Sequence, residues 1–260
     1  MQLNVGCQIL FESHDQTPVI LMLRPRSGSG QWIMREEYQL SPHVPVVEYA
    51  DGYGNLCQRI TIPQGAFQVR TSAVVDAPDK IDVEPNAHFV PVPELPDSVL
   101  QFILPSRYCE ADRLGDLALE IAGNANPGYE QVEAIRQWIQ QNIEYAYGTS
   151  NASTSAVETA DRRVGVCRDF THLGIALCRS LNIPTRMVVG YLYELKPMDL
   201  HAWFEAYVGD RWYTFDATQE QPRGNRVTIA YGRDAADVAL VTQFAAMDLV
   251  EMQVWVTPAG

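Results

Sequence analysis

The chain has 260 residues, 47% hydrophobic, 10% aromatic and 20% charged, a composition that suits compact domains and excludes a disordered or collagen-like chain. Nineteen Lys and Arg against 32 Asp and Glu leave a net charge of −13, a field that repels phosphate backbones and anionic lipid surfaces and argues against nucleic-acid or membrane partners. No apolar run approaches the ~18 residues of a spanning helix, residues 1–10 lack the features of a secretory signal, and five cysteines without CxxC spacing predict free thiols, no metal and a reducing, cytoplasmic setting.

From Gln2 to about Leu104, short β-rich runs at 19–23, 44–49, 56–62 and 67–75 alternate with turns at 27–30 and 51–55, which are rich in Gly, Ser, Asn and Asp. This predicts an antiparallel β-sandwich. Prolines 85, 91, 93, 96 and 105 mark a connector, and the boundary is expected near residue 105, giving a β domain over 1–105 and a second unit over 106–260. Beyond it the period becomes helical. Leu114, Leu117, Ala118 and Ile121 share one face, then Val132, Ile135, Trp138 and Ile139 another. A third helical pattern starts at Cys167, runs through Phe170, Leu173 and Leu177, and stops at Asn182 and Pro184. Strands are expected at 185–193, 200–208 and 212–217, the last two joined as a hairpin at 208–211, and a final strand at 249–256.

A cysteine at a helix start meets unpaired N–H groups and the positive end of the helix dipole, which favour a thiolate and can also hold an oxyanion. Cys167 has that position. His201 follows in a strand, and Asp216 lies on the partner strand of the expected hairpin, nearly opposite His201. A carboxylate there would set the ring tautomer while the other ring nitrogen takes the thiol proton. The segments Gly165-Val166-Cys167-Arg168-Asp169-Phe170, His201-Ala202-Trp203-Phe204-Glu205 and Trp212-Tyr213-Thr214-Phe215-Asp216-Ala217-Thr218 resemble the three motifs of the transglutaminase-like superfamily in order and spacing. The first half, with Asp51-Gly52-Tyr53-Gly54-Asn55 at a turn, resembles the N-terminal β-domain of bacterial members.

The resemblance implies an α+β fold in which the cysteine helix of a papain-like core packs on an antiparallel sheet. It also implies Cys167 as nucleophile, His201 as base and Asp216 as its orienter, acting through a thioester on a peptide, isopeptide or glutamine amide. Hydrolysis is favoured because no amine-acceptor site is evident. Calcium is not expected, since no D-x-D-x-D-G loop occurs. The rival is a catalytically silent scaffold on the same fold, binding a partner protein. Around the triad, Tyr145 and Tyr147 are candidates for the acyl pocket or an oxyanion donor. Glu205 is expected on the face of His201 as a supporting carboxylate, and Trp203 and Trp212 are expected to face away from His201, into packing or the cleft rim. His172 reads as a packed histidine, His14, His43 and His88 as surface residues, and segment 232–238 as a loop beside the active face.

Overall fold

The computed structural model describes residues 1–28 and 30–259; Ser29, inside the turn expected at 27–30, and Gly260 lie outside the described residues. The first half is a sandwich of two antiparallel sheets. One contains β1 (Gln2–Ser13), β3 (Trp32–Ser41) and β6 (Gly65–Asp76); the other contains β2 (Thr17–Leu21), β4 (Val47–Ala50) and β5 (Leu56–Ile62). The period of two is explicit in β6, where Phe67, Val69, Thr71, Ala73 and Val75 are buried and their neighbours are not. Ile9, Phe11 and Val69 from one sheet meet Val19, Ile60 and Ile62 from the other in the sandwich core.

Each sheet takes its fourth strand from the far end of the chain. β13 (Val241–Gln243) pairs with β2, and β14 (Met247–Pro258) pairs along the whole of β1. The expected division at residue 105 is therefore corrected: residues 241–258 belong by hydrogen bonding to the sandwich. Of their buried side chains, Met247 belongs to the sandwich core and Val256 to the core that both halves share. The two halves also share one core, in which Leu3, Val5 and Val75 of the sandwich join Tyr191, Val227 and Ile229.

The connector holds only short turns, among them α1 (Asp97–Leu100). The second half then builds α2 (Gly115–Ala122), α3 (Tyr129–Asn142), β7 (Glu144–Tyr145), α4 (Ala156–Arg162), β8 (Val164–Gly165), α5 (Cys167–Ser180), β9 (Thr185–Leu192), β10 (His201–Val208), β11 (Arg211–Phe215) and β12 (Arg226–Gly232). Four of these are not among the elements expected from the sequence: the two-residue strands β7 and β8, helix α4 and strand β12. Helix α4 is short, but its Ser155 and Glu158 form a capping box that the sequence displays as S-x-x-E. Strand β12 is a short run, Val227-Thr228-Ile229-Ala230-Tyr231, that follows a loop of mixed polarity.

The sheet runs β11-β10-β9-β12, with α5 packed on one face. The expected hairpin forms with the expected register, Val208 opposite Arg211 and Phe204 opposite Phe215. Helix α5 approaches β10 closely at Gly174, where an added Cβ would stand 2.5 Å from the Phe204 ring. That contact sets how near the helix start can come to the sheet.

The open edge of β12 is covered by two side-chain amides from the first half. Gln31 donates to Thr228 O (2.8 Å) and accepts from Thr228 N (2.7 Å); Asn55 donates to Tyr231 O (2.8 Å) and accepts from Tyr231 N (3.0 Å). Each amide imitates the missing strand, so β12 is held without a further β neighbour. Fully buried Asn55 is itself fixed by Asp51, the first residue of its turn. Because Asn55→Ala strands a buried N–H and C=O of Tyr231, we expect it to lower unfolding stability in urea by about 2–4 kcal/mol, with a smaller loss for Asp51→Asn.

Candidate active site

Cys167 is the first residue of α5, after Val166 in extended conformation. The turn into the helix is held by Asp169, whose buried carboxylate accepts the Val166 N–H at 2.9 Å. Gly165 makes this possible: a Cβ there would lie 2.7 Å from the Asp169 side chain. Asp169 thus belongs to the helix start, while Arg168 turns outward to Asn151 O at 2.6 Å and Asp169 Oδ1 at 3.2 Å. The dipole and first-turn N–H groups expected at Cys167 are in place.

His201 opens β10 opposite Gly190 of β9, and Asp216 follows the end of β11. Asp216 Oδ2 accepts from His201 Nε2 at 2.7 Å, and both side chains are almost wholly buried. Its Oδ1 accepts from Thr218 N at 3.0 Å and Thr218 Oγ1 at 2.7 Å. Burial by itself would raise the Asp216 pKa, but His201, Arg226 and Thr218 together hold it far below the usual carboxylate range. Burial likewise opposes charge on His201, yet Asp216, helped by Cys167, pushes its pKa up to about 9. With Nε2 committed to Asp216, Nδ1 is the ring nitrogen that has no carboxylate partner among the described residues.

Arg226, the first residue of β12, is the member of the site that sequence reasoning missed. Its Nη2 lies 2.9 Å from the same Asp216 Oδ2 that His201 bonds, and its guanidinium sits 5.1 Å from the centre of the Trp203 ring. The only hint in the sequence is an arginine directly before the apolar run of an unrecognised strand.

Cys167 and His201 open onto a cleft of about 420 Å³ whose walls are apolar, with Met187, Val189, Leu200, Val238 and Leu240 prominent. The 232–238 loop does stand beside this cleft. Asp237 of the loop accepts from Tyr53 Oη at 2.7 Å, so the first half helps to hold the cleft wall. Tyr145 reaches the site because β7 pairs in parallel with β8, just before Cys167. Burial, the nearby sulfur and Tyr147 keep its phenol protonated well above its usual range. Tyr147 packs edge-on against Tyr145 at 5.5 Å and is more than half exposed.

Two expectations are corrected. Residues two apart in a strand share a face, so Trp203 stands with His201, ring centres 6.1 Å apart, instead of facing away. Gly190 leaves room for it, since a Cβ there would lie 3.0 Å from the Trp203 ring. Glu205 shares that face, but its carboxylate is committed to Arg186, with Nε donating at 2.7 Å, and does not support His201. Trp212 packs with Phe102 and Tyr207. His172 is fully buried, stacked on Tyr108 and accepting from Ala235 N; burial pushes its pKa down to about 4, so it is a neutral packed ring. Among the described residues no group of His, Cys, Asp or Glu converges as a metal ligand set, and no helix is long and apolar enough to cross a membrane.

Cys7, Cys57, Cys109 and Cys178 are buried, and burial pushes Cys7 up to about 11 and Cys178 up to about 12; Cys167 alone is partly exposed. The arrangement can pass a proton from a thiol to an imidazole held in one tautomer, beside donors suited to an oxyanion. Because the His201 pKa rises from 6.5 to about 9 on folding, the charged ring stabilises the fold fully below about 6.5 and loses that contribution as pH rises through about 9. NMR titration of the His201 ring is expected to show that high midpoint. In Asp216→Asn, burial and Arg226 both oppose the charge, and the midpoint should fall to 6.5 or below.

Known families and structures resemble the chain as follows. Residues 115–217 match the model of the transglutaminase-like superfamily, and residues 12–76 that of the bacterial transglutaminase-like N-terminal region. The crystal structure of "a Putative Cysteine Protease from Cytophaga hutchinsonii" is 37% identical with a TM-score of 0.92, covering 99% of this chain and 90% of that one. The uncharacterized protein ML0607 of Mycobacterium leprae (strain TN) is 28% identical over 237 residues, 84% of this chain and 82% of its own length. The uncharacterized protein YebA of Bacillus subtilis (strain 168) is 25% identical over 130 residues, 42% of this chain and 18% of its length. With both halves matched and a relative similar over nearly the whole chain, the protein belongs to the transglutaminase-like superfamily.

Proposed function

We propose that the protein is a cysteine-dependent amidohydrolase acting on peptide or isopeptide bonds, with Cys167 as nucleophile, His201 as base and acid, and Asp216 as orienter. The observation that carries this reading is the cleft shared by a thiol at a helix start and an imidazole whose far nitrogen is bonded to a buried carboxylate. The scaffold alternative requires the space over the sulfur to be filled, and the cleft of about 420 Å³ favours an enzyme, being within the ~300–1,000 Å³ of ligand pockets.

In this mechanism His201 Nδ1 takes the Cys167 proton and the thiolate attacks the amide carbonyl carbon. The oxyanion of the tetrahedral intermediate is met by the Cys167 N–H and the neutral Tyr145 hydroxyl. Collapse breaks the C–N bond, the leaving nitrogen takes the proton from His201, and a thioester remains on Cys167. Water then attacks the thioester, giving a proton to His201, and the acid leaves as the thiolate is regenerated. A cytoplasmic, reducing compartment is part of the proposal, because an accessible nucleophilic thiol stays reduced there.

The test is a screen of peptide, isopeptide and glutamine donors with water or amine acceptors, read by mass spectrometry, with Cys167→Ala as control. Release of acid from a peptide or isopeptide, lost in Cys167→Ala, is expected; amine transfer without hydrolysis would favour a transferase instead. Iodoacetamide at neutral pH should label Cys167 at least about tenfold faster than a model thiol, and an equal or slower rate would contradict an activated thiolate. Tyr145→Phe, which keeps the ring and removes the hydroxyl, is expected to reduce kcat by about 10²-fold with little change in KM.

A further inference from the structure

Asp216 Oδ2 is shared by two cations at almost equal range, His201 Nε2 at 2.7 Å and Arg226 Nη2 at 2.9 Å, while Thr218 occupies Oδ1. Arg226 is only 7% exposed, and its Nε donates to Arg223 O at 2.9 Å. Neither Nη1 nor Nη2 makes a directed hydrogen bond within the protein, so the guanidinium meets Asp216 as a charge more than as an aligned donor. A triad needs only one carboxylate and one imidazole to fix a tautomer, and this buried extra cation has no part in that task.

We infer that Arg226 is a positioning residue for the charge on sulfur: by neutralising Asp216 it leaves the His201 imidazolium with the Cys167 thiolate as its counter-ion. The inference rests on the reading that Cys167 acts as a thiolate. Thiolate, imidazolium, carboxylate and guanidinium sum to zero, an arrangement a poorly solvated site tolerates. Without Arg226, imidazolium and Asp216 already cancel and a thiolate would leave a net negative charge, so the sulfur takes up a proton from water while His201 keeps its own.

The surrounding charges do not replace Arg226. Near Asp216, Arg136 is paired with Glu133 at 2.7 Å, and next to the sulfur Arg168 is paired with Asp169 at 3.2 Å. Asp199 lies within electrostatic range of His201 and Arg223 of Arg226; the guanidinium of Arg223 is held by Gln219 and Tyr193 O and does not reach Asp216. Tyr145, at the sulfur, is a neutral phenol.

The experiment is the pH profile of Cys167 alkylation by iodoacetamide, followed by mass spectrometry, with folding checked by circular dichroism. Arg226→Gln keeps a donor near Asp216 but loses the charge. Its alkylation midpoint should rise by on the order of one pH unit, with the rate at neutral pH falling about tenfold. Arg226→Lys, which keeps the charge, should stay close to the native profile. The double variant Arg226→Gln with Asp216→Asn removes the stranded carboxylate as well; it should return toward the native midpoint, and it provides the reading if the single variant does not fold. A low native midpoint unmoved by Arg226→Gln, or a double variant as alkaline as the single one, would overturn the assignment alone. A native midpoint no lower than that of a model thiol would overturn the thiolate reading first, and this inference with it.

Discussion

One carboxylate oxygen, Asp216 Oδ2, stands between an imidazole and a guanidinium in a site from which water is largely excluded. A lone carboxylate buried to this degree would take up a proton; this one is kept ionised because two cations and two Thr218 donors surround it. Everything chemically useful at the site follows from that ionisation. It fixes Nε2 as the protonated ring nitrogen, raises the affinity of His201 for a second proton, and leaves Nδ1 as the other ring nitrogen of a residue that shares a cleft with Cys167.

The fold is organised to bring these groups together from four elements. Helix α5 supplies the sulfur, at a distance set by the glycine contact with Phe204. Strands β10 and β11 bring His201 and Asp216 together by hairpin register. Strand β12 supplies Arg226 and is an edge strand that would be poorly held without the first half of the chain. Gln31 and Asn55 satisfy its outer backbone groups, and Tyr53 reaches the loop that follows it. The sandwich is thus a structural part of the site, joined to it through one shared core and through its two C-terminal strands.

Cysteine chemistry here also depends on contrast among thiols. Four of the five are buried, which favours the protonated form, and the fifth is partly exposed at a helix start on the cleft it shares with His201. Helix placement alone would not separate them, since Cys178 lies on the same helix, fully buried.

Elements with a strong local period were legible in the residues: the cysteine helix, the hairpin bearing His201 and Asp216, and a sandwich before a proline-rich connector. The period of a strand or helix and the residues of a turn act over a few neighbours, so a linear reading recovers them, and the motif order of Cys167, His201 and Asp216 follows. That same period, applied with care, also puts Trp203 on the face of His201. What no local pattern carried was the choice of distant partners. Closure of the sandwich by residues 241–258, the commitment of Glu205 to Arg186 and the arrival of Arg226 at Asp216 join residues far apart in the chain or on separate strands. Buried charges and open strand edges take whichever partner packing delivers, and only the assembled tertiary structure decides which one that is.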